Sequence, residues 1–231
     1  MGGDDGIRCG VTEGAGMATD SLSTLSSSYA DEFPVRGAAV STIGSSFGGE
    51  TVSASDDVAA RLDEIQLDLG EGPCWDAARR RTPVLIDDVR DAAERWPLFA
   101  AEVGRLPLDA VYAFPLRVAG LDVGVVDLYS ASAGPLPAAV IERIRSRTPG
   151  TALRVVAHVL SESGTGASSN AHSRRIIHQA TGMILARHGI SAEESLLLLR
   201  AHAFAQGRPV AEVAEEIVDR RTGFPPPPLE I

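Results

Sequence analysis

Residues 161–170 read SESGTGASSN and contain no apolar side chain larger than alanine. Ten residues of that composition have nothing to bury, so they read as a linker. A break of this kind forbids one continuous core. Two blocks, 31–160 and 171–222, must each build their own. Residues 1–30 are rich in Gly, Ser, Thr and Asp with little periodicity, and read as a disordered tail. Met17 opens MATDSLSTL, a short helical pattern, and is an alternative start. The ending GFPPPPLEI, 223–231, reads as a polyproline II tail.

The first block mixes two periodicities. AAVSTIGSS (38–46) and ETVSAS (50–55) are strand-like around a turn at Gly48 and Gly49. Residues 56–70 form a helix with apolar positions 58, 62, 65 and 69. CWDAARRR is a short helix, TPVLIDD a strand and ERWPLFAAEVGRL another helix. DAVYAFPLRVAG and LDVGVVDLYSAS are strands joined near Gly120 in a hairpin. A long helical pattern follows from Pro137, interrupted at Pro149 and Gly150. The expected fold is α+β, an antiparallel sheet flanked by helices.

The second block is all helical. Its first helix covers 171–188 and stops at Gly189. Ser191 and Glu194 match the S-x-x-E capping box of the next. Gly207 breaks that helix, and Pro209 suits the first turn of a third, ending near Arg221. Three helices in about 50 residues are marginal alone. The bundle should lean on the first block or on a second copy.

On a helical wheel Ile176, Ile177, Ala180, Met183 and Ile184 share the core face of the first helix. Arg175, His178, Gln179, Gly182 and Ala186 lie opposite. A glycine beside arginine and amide side chains suits close approach of a phosphate or base; packing against another protein surface and a glycine that the helix merely tolerates are the alternatives. In the second helix Leu197 and Phe204 form a second apolar stripe with Arg200 beside it, which reads as a dimer or domain interface. The third helix turns Glu212, Glu215, Glu216 and Asp219 outward. Phosphates would repel it, which argues against a DNA recognition helix.

Charge divides along the same line. The net charge is −10, and all 21 basic residues are arginine. Residues 1–160 carry 14 arginines against 23 acids, whereas 167–231 carry 7 of each. Only the C-terminal block can face a polyanion comfortably. No run of 18 apolar residues offers a membrane span, and no secretory signal is visible, so a cytoplasmic protein is expected.

Catalytic signals are missing from the pattern. The first 157 residues contain no histidine, so Cys74 has no histidine partner in its block. No P-loop or G-x-G-x-x-G occurs, and the histidines show no metal spacing. The expectation is a non-enzyme with no cofactor and no metal. Trp75, Trp96, Phe99, Tyr112 and Phe114 read as core, with an apolar ligand pocket against the sheet as the alternative.

The run RRIIHQATGMILARHGISAEESLLLLRAHAFAQGRPVAEVAEEIV resembles the ANTAR domain of bacterial transcription antiterminators. Arg174 or Arg175, Ile177, Ala180, Gly182, Arg187, Ser191, Leu199, Arg200 and Ala214 fit its pattern. Thr181 stands where the family often has lysine, and Ser195 where it has alanine. GEGPCWDA, TPVLIDD, RWPLF, FPLRVAG and GVVDLYS resemble pieces of a GAF domain. The N-K-F-D-E type signature of cyclic-nucleotide-binding GAF domains and the cysteine set of methionine-sulfoxide-reducing ones are not present. The resemblance implies binding to paired stem-loops in nascent RNA, favouring one hairpin arrangement over a terminator. It implies an RNA-binding set of Arg174, Arg175, Gln179, Thr181, Gly182, Arg187 and Arg200. It also implies a homodimer and a GAF domain sensing a small molecule or partner protein. A sensor acting through protein contacts alone is the competing reading.

Overall fold

The computed structural model describes residues 24–43, 49–165 and 169–219. Helix α1 (24–32) leads into β1 (Gly37–Thr42) and β2 (Glu50–Ala54). Helices α2 (Asp57–Leu69) and α3 (Pro73–Arg80), strand β3 (Val84–Ile86), a 3-10 turn (Val89–Glu94) and α4 (Pro97–Val103) follow. The hairpin β4 (Ala110–Val118) and β5 (Leu121–Ser130) precedes the long α5 (Ala138–Thr165). The sheet is antiparallel throughout, in the order β2-β1-β5-β4-β3.

This sheet is covered on both sides. Ala39, Val111, Ala113, Val125 and Tyr129 face a layer made by α2, α3 and α4. Ala38, Val40, Tyr112, Phe114, Val126 and Leu128 face α1 and α5. Two-sided burial explains why β4 and β5 read as nearly unbroken apolar runs. Their hairpin turns through Ala119 (φ 50°) and Gly120 (φ 83°), the double positive φ of a type I′ turn. At Gly124 β1 comes very close: a Cβ there would lie 1.9 Å from the Ser41 carbonyl oxygen. Only glycine permits this spacing.

Three expectations need correction. The tail does not extend to residue 30. Leu25, Tyr29 and Phe33 recur every fourth residue and are buried, and the Tyr29 hydroxyl lies 2.7 Å from Thr151 Oγ1 on α5. The polar composition between them hid this stripe; residues 1–23 lie outside the described part, as do 223–231. Pro149 does not interrupt α5. Proline there denies the Arg145 carbonyl its usual amide donor, and the Thr148 hydroxyl donates to that oxygen instead, at 3.0 Å. The linker is shorter than expected: α5 runs to Thr165 and α6 begins at Ser169.

Helices α6 (Ser169–His188), α7 (Ala192–Gln206) and α8 (Val210–Val218) form the second block. Ile176, Ala180, Ile184, Leu199, Ala203, Val213, Ala214 and Ile217 make its core. The capping box is formed in both directions. The Glu194 amide donates to Ser191 Oγ at 3.2 Å, and the Ser191 amide donates to Glu194 Oε2 at 2.7 Å. Gly207 (φ 62°) closes α7 in the left-handed conformation.

A polar cluster sits inside the core of the first block. Asp63 and Gln66 of α2 and Asp127 of β5 are fully buried. Gln66 Nε2 donates to Asp127 Oδ2 at 2.9 Å, and the Thr51 hydroxyl donates to Asp63 Oδ2 at 2.6 Å. The second oxygen of each carboxyl has no hydrogen-bond partner among the described residues. Burial pushes Asp63 up to about 6, against the pull of Thr51. Burial and then the Asp63 charge push Asp127 well above the usual carboxylate range. Two neighbouring carboxyls in a medium of low polarity cannot both ionise readily, so the pair retains a proton.

Gly124→Ala should lower the unfolding free energy by about 3 kcal/mol or more, read from urea denaturation, because backbone must move. The buried acids give a second expectation. The folded chain keeps protons that an unfolded aspartate releases near pH 4. Stability should therefore fall as pH rises from there through about 6, the folded Asp63 value. Asp127→Asn should flatten that fall in denaturation curves at several pH values.

Candidate nucleic-acid interface

Helix α6 presents a continuous outward stripe. Its core side is set by Ile176, Ala180 and Ile184, and the opposite side by Arg175, Gln179, Gly182 and Ala186, all exposed. His178 is exposed at its edge. A Cβ on Gly182 would meet no atom of the described residues within 4 Å. Packing among them therefore does not require glycine, which costs a helix interior about 1 kcal/mol against alanine. The stripe combines a guanidinium, an amide and bare backbone. That combination can pair with a phosphate and let a base or ribose approach the helix closely.

Not every expected residue joins this stripe. Arg187 is exposed but lies about 140° around the helix from Gly182 at 3.6 residues per turn. Thr181 is turned inward: it is 8% exposed and its hydroxyl donates to the Ile177 carbonyl at 2.7 Å. Ser195 is likewise buried, bonded to the Ser191 carbonyl at 2.8 Å. The Arg174 side chain lies outside the described residues.

Arg200 is in a different place altogether. It points away from α6 and onto the first domain, its guanidinium 5.2 Å from the centre of the Trp75 ring. Gly70, the left-handed C-cap of α2, makes room; a Cβ there would lie 2.6 Å from Arg200 Nη1. A cation at that position also meets the negative end of the α2 dipole. Burial lowers the Arg200 pKa, and the Asp68 charge works against that. Asp68, in the last turn of α2, is pushed up to about 6, first by burial and then by Glu64; the Val210 amide at the start of α8 pulls it back. Phe204 follows Arg200 into the same seam, whereas Leu197 is 64% exposed. The second apolar stripe thus borders the seam at Phe204, itself 41% exposed, and faces solvent at Leu197. Sequence reasoning missed Asp68, Gly70 and Trp75 as the docking surface, because no local pattern links segments 130 residues apart.

On α8 the outward acids remain: Glu212 and Glu215 are exposed, and Glu216 holds Arg208 at 2.8 Å. In the first domain the five aromatic candidates do not converge. Trp75, Trp96 and Phe99 lie on the α2–α4 side of the sheet, with Trp96 and Phe99 edge to face at 6.2 Å. Tyr112 and Phe114 lie on the other side, packed by α1 and α5. All but Trp75 are buried, so they fill the core and do not line one pocket. Cys74 is buried, and burial raises its thiol pKa, which leaves it unreactive. Among the described residues no group of three His, Cys, Asp or Glu side chains could hold a metal ion, and no helix is long and apolar enough to cross a membrane.

Comparison with known proteins identifies both halves. The family model described as GAF domain matches residues 19–146, and that described as ANTAR domain matches 167–218. No curated protein matches. Solved structures similar to the first half are distant in sequence. The type II free methionine-R-sulfoxide reductase of Thermoplasma acidophilum is 15% identical, over 61% of this chain and 93% of that one, with a TM-score of 0.49. A GAF domain/HD domain protein of Geobacter sulfurreducens is 19% identical over 64% and 95%, with a TM-score of 0.46. The GAF domain of an Acinetobacter phosphoenolpyruvate-protein phosphotransferase is 12% identical over 65% and 86%, also at 0.46. With more than half of its length matched by one family model and its C-terminal bundle by another, the chain belongs to the GAF-domain family and carries a C-terminal ANTAR domain.

Proposed function

We propose that this protein binds paired stem-loops in nascent RNA through the outward stripe of α6 and thereby favours antitermination, under control of the GAF domain. GAF and ANTAR domains are regulatory modules, which agrees with a sequence lacking a nucleophile–base pair. The observation that carries the reading is Gly182, an exposed mid-helix glycine that no contact among the described residues requires. Arg175 supplies charge, Gln179 reads a base edge or sugar, and Gly182 admits the backbone. Arg187 reaches a second segment of RNA from the end of the helix. A homodimer in the cytoplasm fits two such faces meeting two hairpins. Arg200 contributes only when α7 leaves the GAF domain, so undocking is a simple way to control affinity.

Two-hairpin RNAs should bind the purified chain with affinity that falls as salt rises. Arg175→Ala should reduce the salt slope by about 1, and Gly182→Glu should abolish binding while the fold persists. Gly182→Ala gives a sharper expectation: it should raise stability by about 1 kcal/mol and weaken RNA binding, as read by thermal melts and filter binding. The competing reading, control through protein contacts alone, is favoured by the exposed Leu197. It predicts salt-insensitive self-association and no retention of any hairpin RNA.

A further inference from the structure

The seam between the domains is not fully closed. The second half of α2 and the end of α4 stand on one side, and α7 with the start of α8 stands on the other. Between them is an open cleft of about 370 Å³, with Ile65, Leu69, Phe204 and Val210 as apolar walls and Asp68 and Arg200 as polar ones. Three further arginines reach its rim, and each has a carboxylate of its own. Arg61 pairs with Glu64 at 3.3 Å, Arg105 with Glu102 at 2.8 Å and Arg208 with Glu216 at 2.8 Å.

Arg200 is the exception. Among the described residues no hydrogen bond or ion pair reaches its guanidinium, although the side chain is mostly covered. A guanidinium has five N–H donors. Stacking on Trp75 uses its face and leaves its edge for an acceptor. The charge of Asp68 reaches Arg200, but no hydrogen bond or ion pair joins the two side chains among the described residues, and the Asp68 carboxyl faces the Val210 amide instead. Donors left in a partly desolvated cleft are costly until an acceptor meets them. An oxyanion does so best, because a carboxylate matches the guanidinium fork. The apolar walls around that fork suit a carbon-rich body.

We propose that the interdomain cleft is a binding site for a small aromatic carboxylate, its anionic end on Arg200 and its ring between Ile65 and Phe204. Such a ligand touches both domains. It therefore binds the docked arrangement more tightly than the separated one and shifts the population towards it. Arg200 and Phe204 are then withheld from any other partner. The proposal stands apart from the RNA reading, since the cleft and its uncommitted arginine exist whatever α6 binds.

The test is calorimetric titration and thermal shift on the full chain with 1-naphthoate, its neutral isostere 1-naphthamide, and inorganic phosphate. The naphthoate should bind and raise Tm; the amide and the phosphate should bind at least about tenfold more weakly, as expected for a lost charge-assisted pair or a lost apolar body. Arg200→Gln should weaken naphthoate binding at least about tenfold. If that variant melts without cooperativity, Phe204→Ser replaces it and should weaken the naphthoate while leaving the melt cooperative. The proposal is overturned if naphthoate produces no heat and no shift at about 10 mM, if the amide or phosphate matches it, or if the cooperative variant binds it as the wild type does.

Discussion

Strand β5 is buried on both faces, and the rest of the molecule is arranged around that constraint. A strand in this position has no solvated side on which to place a polar residue. Asp127 nevertheless lies in it, between Val125 and Tyr129, and must be answered from within the protein. Gln66 answers it from α2. The same glutamine receives the Cys74 amide on its side-chain oxygen at 2.9 Å and the Trp75 indole N–H on its backbone carbonyl at 2.6 Å. Asp127 thus dictates how α2 and the start of α3 sit against the sheet, and so where Trp75 stands.

Trp75 is in turn the platform for Arg200. A continuous line of contacts runs from the centre of the sheet to α7: Asp127, Gln66, Trp75, Arg200. Contiguity is not coupling. It does supply a physical route by which a change at the sheet can alter the docking of the ANTAR bundle. The bundle needs such support, since three short helices bury little surface alone. Docking covers part of α7 and leaves the outward stripe of α6 open.

Much of this was legible in the residues, and the failures have identifiable causes. The Ser191 and Glu194 cap, the left-handed Gly207 and the outward placement of Gly182 are local. They depend on neighbours within one or two turns, which the sequence displays. Helix α1 was hidden because its apolar residues are spaced four apart in a polar background. The unbroken α5 was hidden because Thr148 and the packing of α5 on the sheet offset Pro149. The buried face of α2 includes Asp63 and Gln66, so an apolar-only reading places it slightly askew. In the site, Arg175 and Gln179 follow from periodicity. The destination of Arg200 does not, because α7 has two plausible contact sides and its partner is set by tertiary docking.

The proposed RNA surface is α6. Ultraviolet crosslinking of a two-hairpin RNA to the full chain, with the crosslinked peptides mapped by mass spectrometry, tests it directly. Crosslinks concentrated on residues 175–187, lost on competition with the same RNA and diminished at high salt, are the predicted result. Crosslinks confined to α8 or to the GAF domain, or none at any salt, would contradict it.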